Sequence, residues 1–226
     1  MWWTDLLLYF FPELCLVCGK RLSRAGSILC LKCEYNLPKP GLGNLDNSPV
    51  NQTFWGRVPV EKSTSLFRFE KGSPYQALLH ELKYQGNQTA GLYLGRLLGQ
   101  ELLHSSFTGC DILVPVPLHH KRQRKRGYNQ SELIARGVSE ITGIPVVPDL
   151  LTRSTHHASQ TSLGRYERYQ NIKGNFSVSS GAPDVNGMKI LLIDDVLTTG
   201  STLEACTWTL LNYFNCRIYI ATLSLA

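Results

Sequence analysis

The sequence predicts an α/β protein built on a parallel sheet, with a small cysteine-bearing module ahead of it. Three observations lead there. Two strand–loop–helix units occur, over residues 111–141 and 189–214. In each, a short continuous apolar run feeds a polar loop, and a helical apolar stripe follows. Such runs suit strands buried on both faces, as in a parallel sheet. Ahead of them stand two C-x-x-C pairs, Cys15/Cys18 and Cys30/Cys33. Between the pairs and the rest, residues 37–52 are rich in Pro, Gly and Asn, the composition of a linker or long loop. We therefore divide the chain into residues 1–50, module and linker, and residues 51–226, the α/β domain.

The totals are compatible with this division. A chain of 226 residues has room for one domain plus a small module, and 43% hydrophobic residues can fill a core. The net charge of +6 fits an anionic partner. No apolar run approaches the roughly 18 residues that would predict a transmembrane helix. The first twelve residues, MWWTDLLLYFFP, are apolar but lack a basic leader and a small-residue cleavage site. Burial against the module is the expectation for them, with peripheral membrane contact as the alternative. Seven cysteines, four of them paired by spacing, point to metal in a reducing compartment, hence the cytoplasm, rather than to disulfides.

Taken in order, Cys15, Cys18, Cys30 and Cys33 place two thiolates on each of two knuckles and complete a tetrahedral, zinc-ribbon-like site. No open coordination position is implied, so the zinc is expected to be structural. Buried thiols or a redox pair are the alternative. Lys20, Arg21 and Arg24 line the finger between them. Residues 65–69 read as a strand. Ser73-Pro-Tyr-Gln76 opens a helix with N-cap, N1 proline and capping-box glutamine, and Tyr75, Leu78, Leu79 and Leu82 form its stripe. Lys83 closes it, read as a cation at a helix C-terminus. Residues 89–105 form the next helix. Gly91, Gly95 and Gly99 lie four apart there and admit a close neighbour.

Residues 111–117, DILVPVP, give a buried strand. The loop 118–126 carries Lys121, Arg122, Arg124, Lys125 and Arg126, read as ligand-facing cations or as a solvated turn. Gly127 then opens a helix with Leu133, Ile134, Val138 and Ile141 on one face. Residues 146–151 read as a strand, 153–171 as a long polar loop of the kind that forms lids, 174–178 as a short strand, and 217–225 as the final strand.

The most informative stretch is 189–202, KILLIDDVLTTGST. Ile190 to Ile193 form the strand, and Asp194 and Asp195 end it. Val196, Leu197, Thr198, Thr199, Gly200, Ser201 and Thr202 make the turn into a helix striped by Leu203, Cys206, Leu210 and Phe214. Such a turn presents free backbone N–H groups and the positive end of the helix dipole to an anion. Hydroxyls add donors. Two carboxylates beside it suit sugar hydroxyls or magnesium. A phosphate next to a diol is a ribose 5-phosphate. A plainer reading makes Ser201 and Glu204 a capping box, which leaves the acid pair unexplained.

IDDVLTTGST resembles the binding loop for phosphoribosyl pyrophosphate (PRPP) in type I phosphoribosyltransferases. Nearly the whole chain is similar to the ComF/GntX family of competence-type proteins, which join a zinc module to such a domain. The resemblance implies a type I phosphoribosyltransferase core, PRPP held with magnesium, and Asp194 and Asp195 at the ribose. It implies pyrophosphate contacts from Arg126 and Gly127, within an R-G-Y-N-Q-type segment, and a flexible loop carrying Arg153, Gln160, Arg165 and Arg168. It also matches Lys83-Tyr84-x-Gly86. ComF proteins are implicated in import of single-stranded DNA and have a ComFA helicase as partner. Lys121, Arg122, Arg124 and Lys125 are the expected nucleic-acid contacts. Trp2, Trp3, Phe54 and Trp55 are read as core aromatics or base-stacking platforms. Nucleobase salvage and PRPP sensing without turnover are the alternatives. No base-recognition motif is visible for the acceptor.

Overall fold

The structure, a computed structural model, describes residues 13–24, 26–40, 48–84, 87–103, 105, 107, 109–153 and 175–226. Its centre is a four-stranded parallel sheet, β1 (Lys62–Arg68), β2 (Ile112–Pro115), β5 (Lys189–Leu197) and β6 (Arg217–Leu225), in the order β1-β6-β5-β2. A separate antiparallel pair is made by β3 (Leu151–Arg153) and β4 (Phe176–Val178). Among the described residues the helices are α1 (Leu31–Tyr35), α2 (Pro49–Gln52), α3 (Gln76–Tyr84), α4 (Gln88–Leu103), α5 (His120–Arg126), α6 (Gln130–Thr142) and α7 (Ser201–Tyr213).

The strand period of two sorts the core into two layers. Leu191 and Ile193 of β5 pack with Leu113, Tyr219 and Ala221, under Leu94, Leu98, Ile134 and Val138 of α4 and α6. Ile190 and Leu192 face the other way, with Val114, Ile218 and Ile220, onto Leu203, Cys206 and Leu210 of α7. Burying each such aliphatic side chain contributes about 1.5–3 kcal/mol, which explains continuous apolar runs in the strands. Cys15, Ile28, Leu29, Cys33 and Leu37 join the first layer, so the cysteine-bearing segment shares its core with the sheet.

The close neighbour expected for the α4 glycines is α6. A Cβ on Gly95 would stand 2.3 Å from the Ile134 carbonyl oxygen, and one on Gly137 would stand 2.3 Å from that of Leu92. The two helices therefore touch backbone to backbone.

Four expectations need correction. The basic segment is not an open loop but helix α5: the His119 ring accepts the Lys121 N–H at 3.2 Å, and Gly127 ends the helix at φ 80°. The strand expected over 146–151 shrinks to a single bridge, Val146 to Leu113, and pairing begins at Leu151 instead. The linker stretch ends in α2, whose Ser48 oxygen caps the Asn51 N–H at 3.1 Å and which buries Val50. The Ser201–Glu204 capping box does not form; Gly200, at φ 76°, is the N-cap of α7. Of the aromatics, Phe54 is buried and Trp55 exposed. Trp2 and Trp3, with the apolar start, lie outside the described residues, as do Gln160, Arg165, Arg168 and most of the expected lid.

Candidate active site and cysteine cluster

β5 continues past its apolar run to Leu197, because β6 pairs with it in register from Lys189↔Arg217 to Leu197↔Leu225. The acid pair therefore sits on regular strand, not beyond it. Asp194 Oδ1 accepts the Ser131 hydroxyl at 2.9 Å and the Asp195 N–H at 2.9 Å. Asp195 Oδ2 lies 3.1 Å from Lys83 Nζ. Burial pushes the Asp194 carboxyl up from 3.8 to about 7, and the neighbouring Asp195 charge adds to the push. The Asp195 N–H, the Ser131 hydroxyl and Lys83 pull the other way. The pair is a concentration of negative charge that favours a hydrogen-bond donor or a cation.

After β5, Thr198 and Thr199 are exposed, Ser201 and Thr202 half-buried, and Gly200 buried. The Thr199 and Ser201 hydroxyls lie 2.9 Å apart. Among the described residues, no side-chain cap closes the start of α7. Thr53, Phe54 and Arg57 press on Gly200 from behind: a Cβ there would meet Thr53 Cγ2 at 3.0 Å and Phe54 Cε1 at 3.2 Å. A side chain at this position is thus disfavoured by both space and φ.

Arg153, on β3, is half-buried with its guanidinium carbon 5.1 Å from the centre of the Phe176 ring. Burial and the Arg122 charge lower its pKa, and Cys206 and Asp194 oppose that. It thus lies within electrostatic reach of Arg122 and Asp194 together. Arg126 is half-buried and donates to Gln130 Oε1 at 2.8 Å. Lys121, Arg122, Arg124 and Lys125 are exposed along α5. Lys83, Ser131 and Arg57 escaped the sequence reading as site residues. Lys83 had a signal in its Lys-Tyr-x-Gly setting; Arg57 had none.

At the other end of the first layer, the Sγ atoms of Cys15, Cys18, Cys30 and Cys33 all lie within 4.8 Å of one another. Cys18 Sγ and Cys30 Sγ are 3.7 Å apart. A tetrahedron of sulfurs about 2.3 Å from a central ion has edges of about 3.75 Å. The donor set therefore fits a closed tetrahedral metal. Although burial raises the Cys15 thiol, backbone N–H groups of Cys30, Cys18 and Val17 bring it down to about 6. Tyr75 and Tyr93 fasten this segment to the helices: the Tyr75 hydroxyl donates to the Cys33 and Asn36 carbonyls at 2.9 Å each, and that of Tyr93 donates to Glu34.

The phosphoribosyl transferase domain family matches residues 89–225, from α4 through β6. Competence protein F of Haemophilus influenzae is 34% identical over 135 residues, which span 58% of this chain and 59% of that relative. DNA utilization protein YhgH of Salmonella typhimurium is 30% identical over 194 residues, 84% of this chain and 80% of the relative. The chain belongs to the ComF family of phosphoribosyl transferase domain proteins. Among solved structures, glutamine PRPP amidotransferase from B. subtilis, complexed with ADP and GMP, aligns with 60% of this chain and 26% of its own. That alignment has 21% identity and a TM-score of 0.43. The family match covers both strand–loop–helix units of this ComF chain, and the cysteine cluster lies ahead of it. No described helix is long and apolar enough to cross a membrane.

Proposed function

We propose that this ComF-family chain binds PRPP at the β5–α7 turn and transfers its phosphoribosyl group in the handling of imported single-stranded DNA. One observation carries the reading: an acid pair stands near the end of a central strand, which runs on through Leu197 and then turns into a helix whose N-cap, Gly200, makes no side-chain cap. The 5′-phosphate takes the amides and hydroxyls of Val196 to Thr202. The ribose hydroxyls donate to Asp194 and Asp195. Arg126, Gly127 and Arg153 meet the pyrophosphate, with Gln160, Arg165 and Arg168 closing from the loop.

When the bond from the anomeric carbon to pyrophosphate breaks, the electron pair leaves with pyrophosphate. The ribose gains positive charge, and the acid pair stabilises it; the arginines take up the charge of the leaving group. A nucleophile then supplies the pair for the new bond. Hard carboxylate oxygens suit magnesium, which would bind through Asp194, Asp195 and PRPP itself and help neutralise the pyrophosphate. The thiolates of Cys15, Cys18, Cys30 and Cys33 hold a structural zinc.

Two kinds of support point to DNA. The names of the relatives concern competence and DNA utilization. The exposed cations of α5 suit a phosphate backbone. A ComFA-type helicase is the partner proposed from the resemblance to the ComF family, and the cytoplasm, with its reducing conditions and its PRPP, the location.

The test is incubation with Mg-PRPP and candidate acceptors, including single-stranded DNA and nucleobases. Pyrophosphate release that depends on single-stranded DNA supports transfer. Release only with a free base makes the protein a salvage enzyme. Binding of PRPP by calorimetry with no release makes it a sensor, and no binding overturns the site.

A further inference from the structure

We propose that Arg57 is a positioning residue that keeps the phosphate end of the site open by holding Glu204 away from it. The inference rests on the phosphate reading of the β5–α7 turn given above.

Two helix registers compete in the sequence Gly200-Ser-Thr-Leu-Glu204. In one, Ser201 is the N-cap and Glu204 the third helical residue. That is a complete capping box, in which the glutamate carboxylate bonds the Ser201 N–H. In the other, the helix starts one residue earlier and the box is broken. The structure has the second register. Gly200 is the N-cap, the Glu204 N–H donates to the Gly200 carbonyl at 2.8 Å, and no described side chain caps the end. The capping box satisfies more donors from within the helix, so the observed register needs an outside cause.

Arg57 provides one. Its Nη2 donates to Glu204 Oε2, and the glutamate side chain is 8% exposed. Its Nη1 donates to the Thr199 carbonyl at 2.6 Å and to the Thr53 carbonyl at 3.0 Å. The planar fork thus binds the glutamate and the peptide just before Gly200 at once. A trans peptide directs its C=O and N–H to opposite sides. With the Thr199 oxygen turned to Arg57, the Gly200 N–H is turned away from it, toward the side opposite the arginine. The carboxylate that would otherwise occupy the first-turn amides, and repel a phosphate there, is drawn to the rear. Arg57 comes from the turn after α2, outside the residues matched by the transferase family.

The test is titration of the full-length protein with ribose 5-phosphate by calorimetry, alongside thermal unfolding. Arg57→Ala should weaken binding about tenfold, the scale of a capping interaction turned against the ligand. Arg57→Ala/Glu204→Ala should recover most of that loss, to within about threefold of the parent, because the competing carboxylate is gone. Its melting temperature should nevertheless be no higher than that of Arg57→Ala, since alanine cannot cap. A purely structural arginine predicts that the double variant is worse on both measures, and an arginine that touches phosphate predicts no recovery; either result overturns the inference. So does unchanged binding in Arg57→Ala. A parent that does not bind ribose 5-phosphate overturns the site reading itself.

Discussion

The protein assembles two clusters of like-charged groups, four thiols and two carboxylates, and it assembles them differently. The thiols come from one stretch of 19 residues, 15–33, and the turns that carry them also supply amides to the sulfur. The carboxylates are neighbours in sequence, but what holds them comes from elsewhere: Ser131 from the start of α6 and Lys83 from the end of α3. Local spacing makes the first cluster. The second needs a formed sheet and docked helices. Loss of a ligand should therefore unmake the first and leave the second standing but weakened.

The largest effect should follow from breaking the thiol cluster. Purified protein should carry about one zinc per chain, and Cys30→Ser should lose it and unfold the module, since structural zinc supplies on the order of 10 kcal/mol to such folds. Because Cys15 and Cys33 share a core with Leu66 and Leu94, the remaining domain should melt at a lower temperature too. Metal analysis and thermal unfolding read both; metal-free wild-type protein isolated without chelator would end the zinc assignment.

Asp194→Asn and Asp195→Asn should spare the fold and lower Mg-PRPP affinity by roughly ten- to a hundredfold each, the worth of an ionised hydrogen bond. Calorimetry that finds both variants binding like the parent removes the ribose from the acid pair. A contrast of smaller size separates this cluster from the basic helix. Replacing Arg124, Lys125 and Arg126 with alanine should weaken single-stranded DNA binding and reduce the slope of log K against log salt by about 2, at about 0.7 per lost phosphate contact. Affinity for ribose 5-phosphate, which lacks the pyrophosphate, should stay as it was. An unchanged slope moves DNA to another surface.

The smallest effect is on stability. The folded state holds the Asp194 proton more tightly than the unfolded chain does, because its carboxyl is raised from 3.8 to about 7. Stability is therefore lost as pH rises between those values, and the loss is complete above the upper one. Asp194→Asn should raise the melting temperature at pH 8 by several degrees, and the gain should fade as the pH falls below about 4. A gain of equal size at both pH values would mean that burial of charge is not its origin.

Much of this was legible in the sequence, for reasons that particular residues make plain. Ile190 to Ile193 read as a strand buried on both faces, and alternate residues do enter the two core layers. The spacing of Gly91, Gly95 and Gly99 admitted a close neighbour, which is α6. Cysteine spacing was sufficient because its geometry is local. Helix α5 was not legible: it has no apolar stripe, and only the His119 cap, the Gly127 stop and residues of good helix propensity make it. The capping box misled because Ser201 and Glu204 carry the right local signal, while the competitor, Arg57, comes from 147 residues away. Lys83 and Ser131 reach the acid pair through tertiary packing, which periodicity does not encode.

The glycine contact between α4 and α6 has a consequence for tolerance. Ser131 stands six residues before Gly137 on α6, about 9 Å along the axis at about 1.5 Å per residue. The gap between two helix backbones is thus the gauge that fixes how far a hydroxyl reaches toward Asp194. One methyl group at Gly137 would push against the Leu92 carbonyl and act on α6 as a wedge acts on a lever. Substitutions that never touch a ligand would then be read out as misalignment of the carboxylate that does. The chain should accept change freely along the outer faces of these helices and hardly at all along the seam between them.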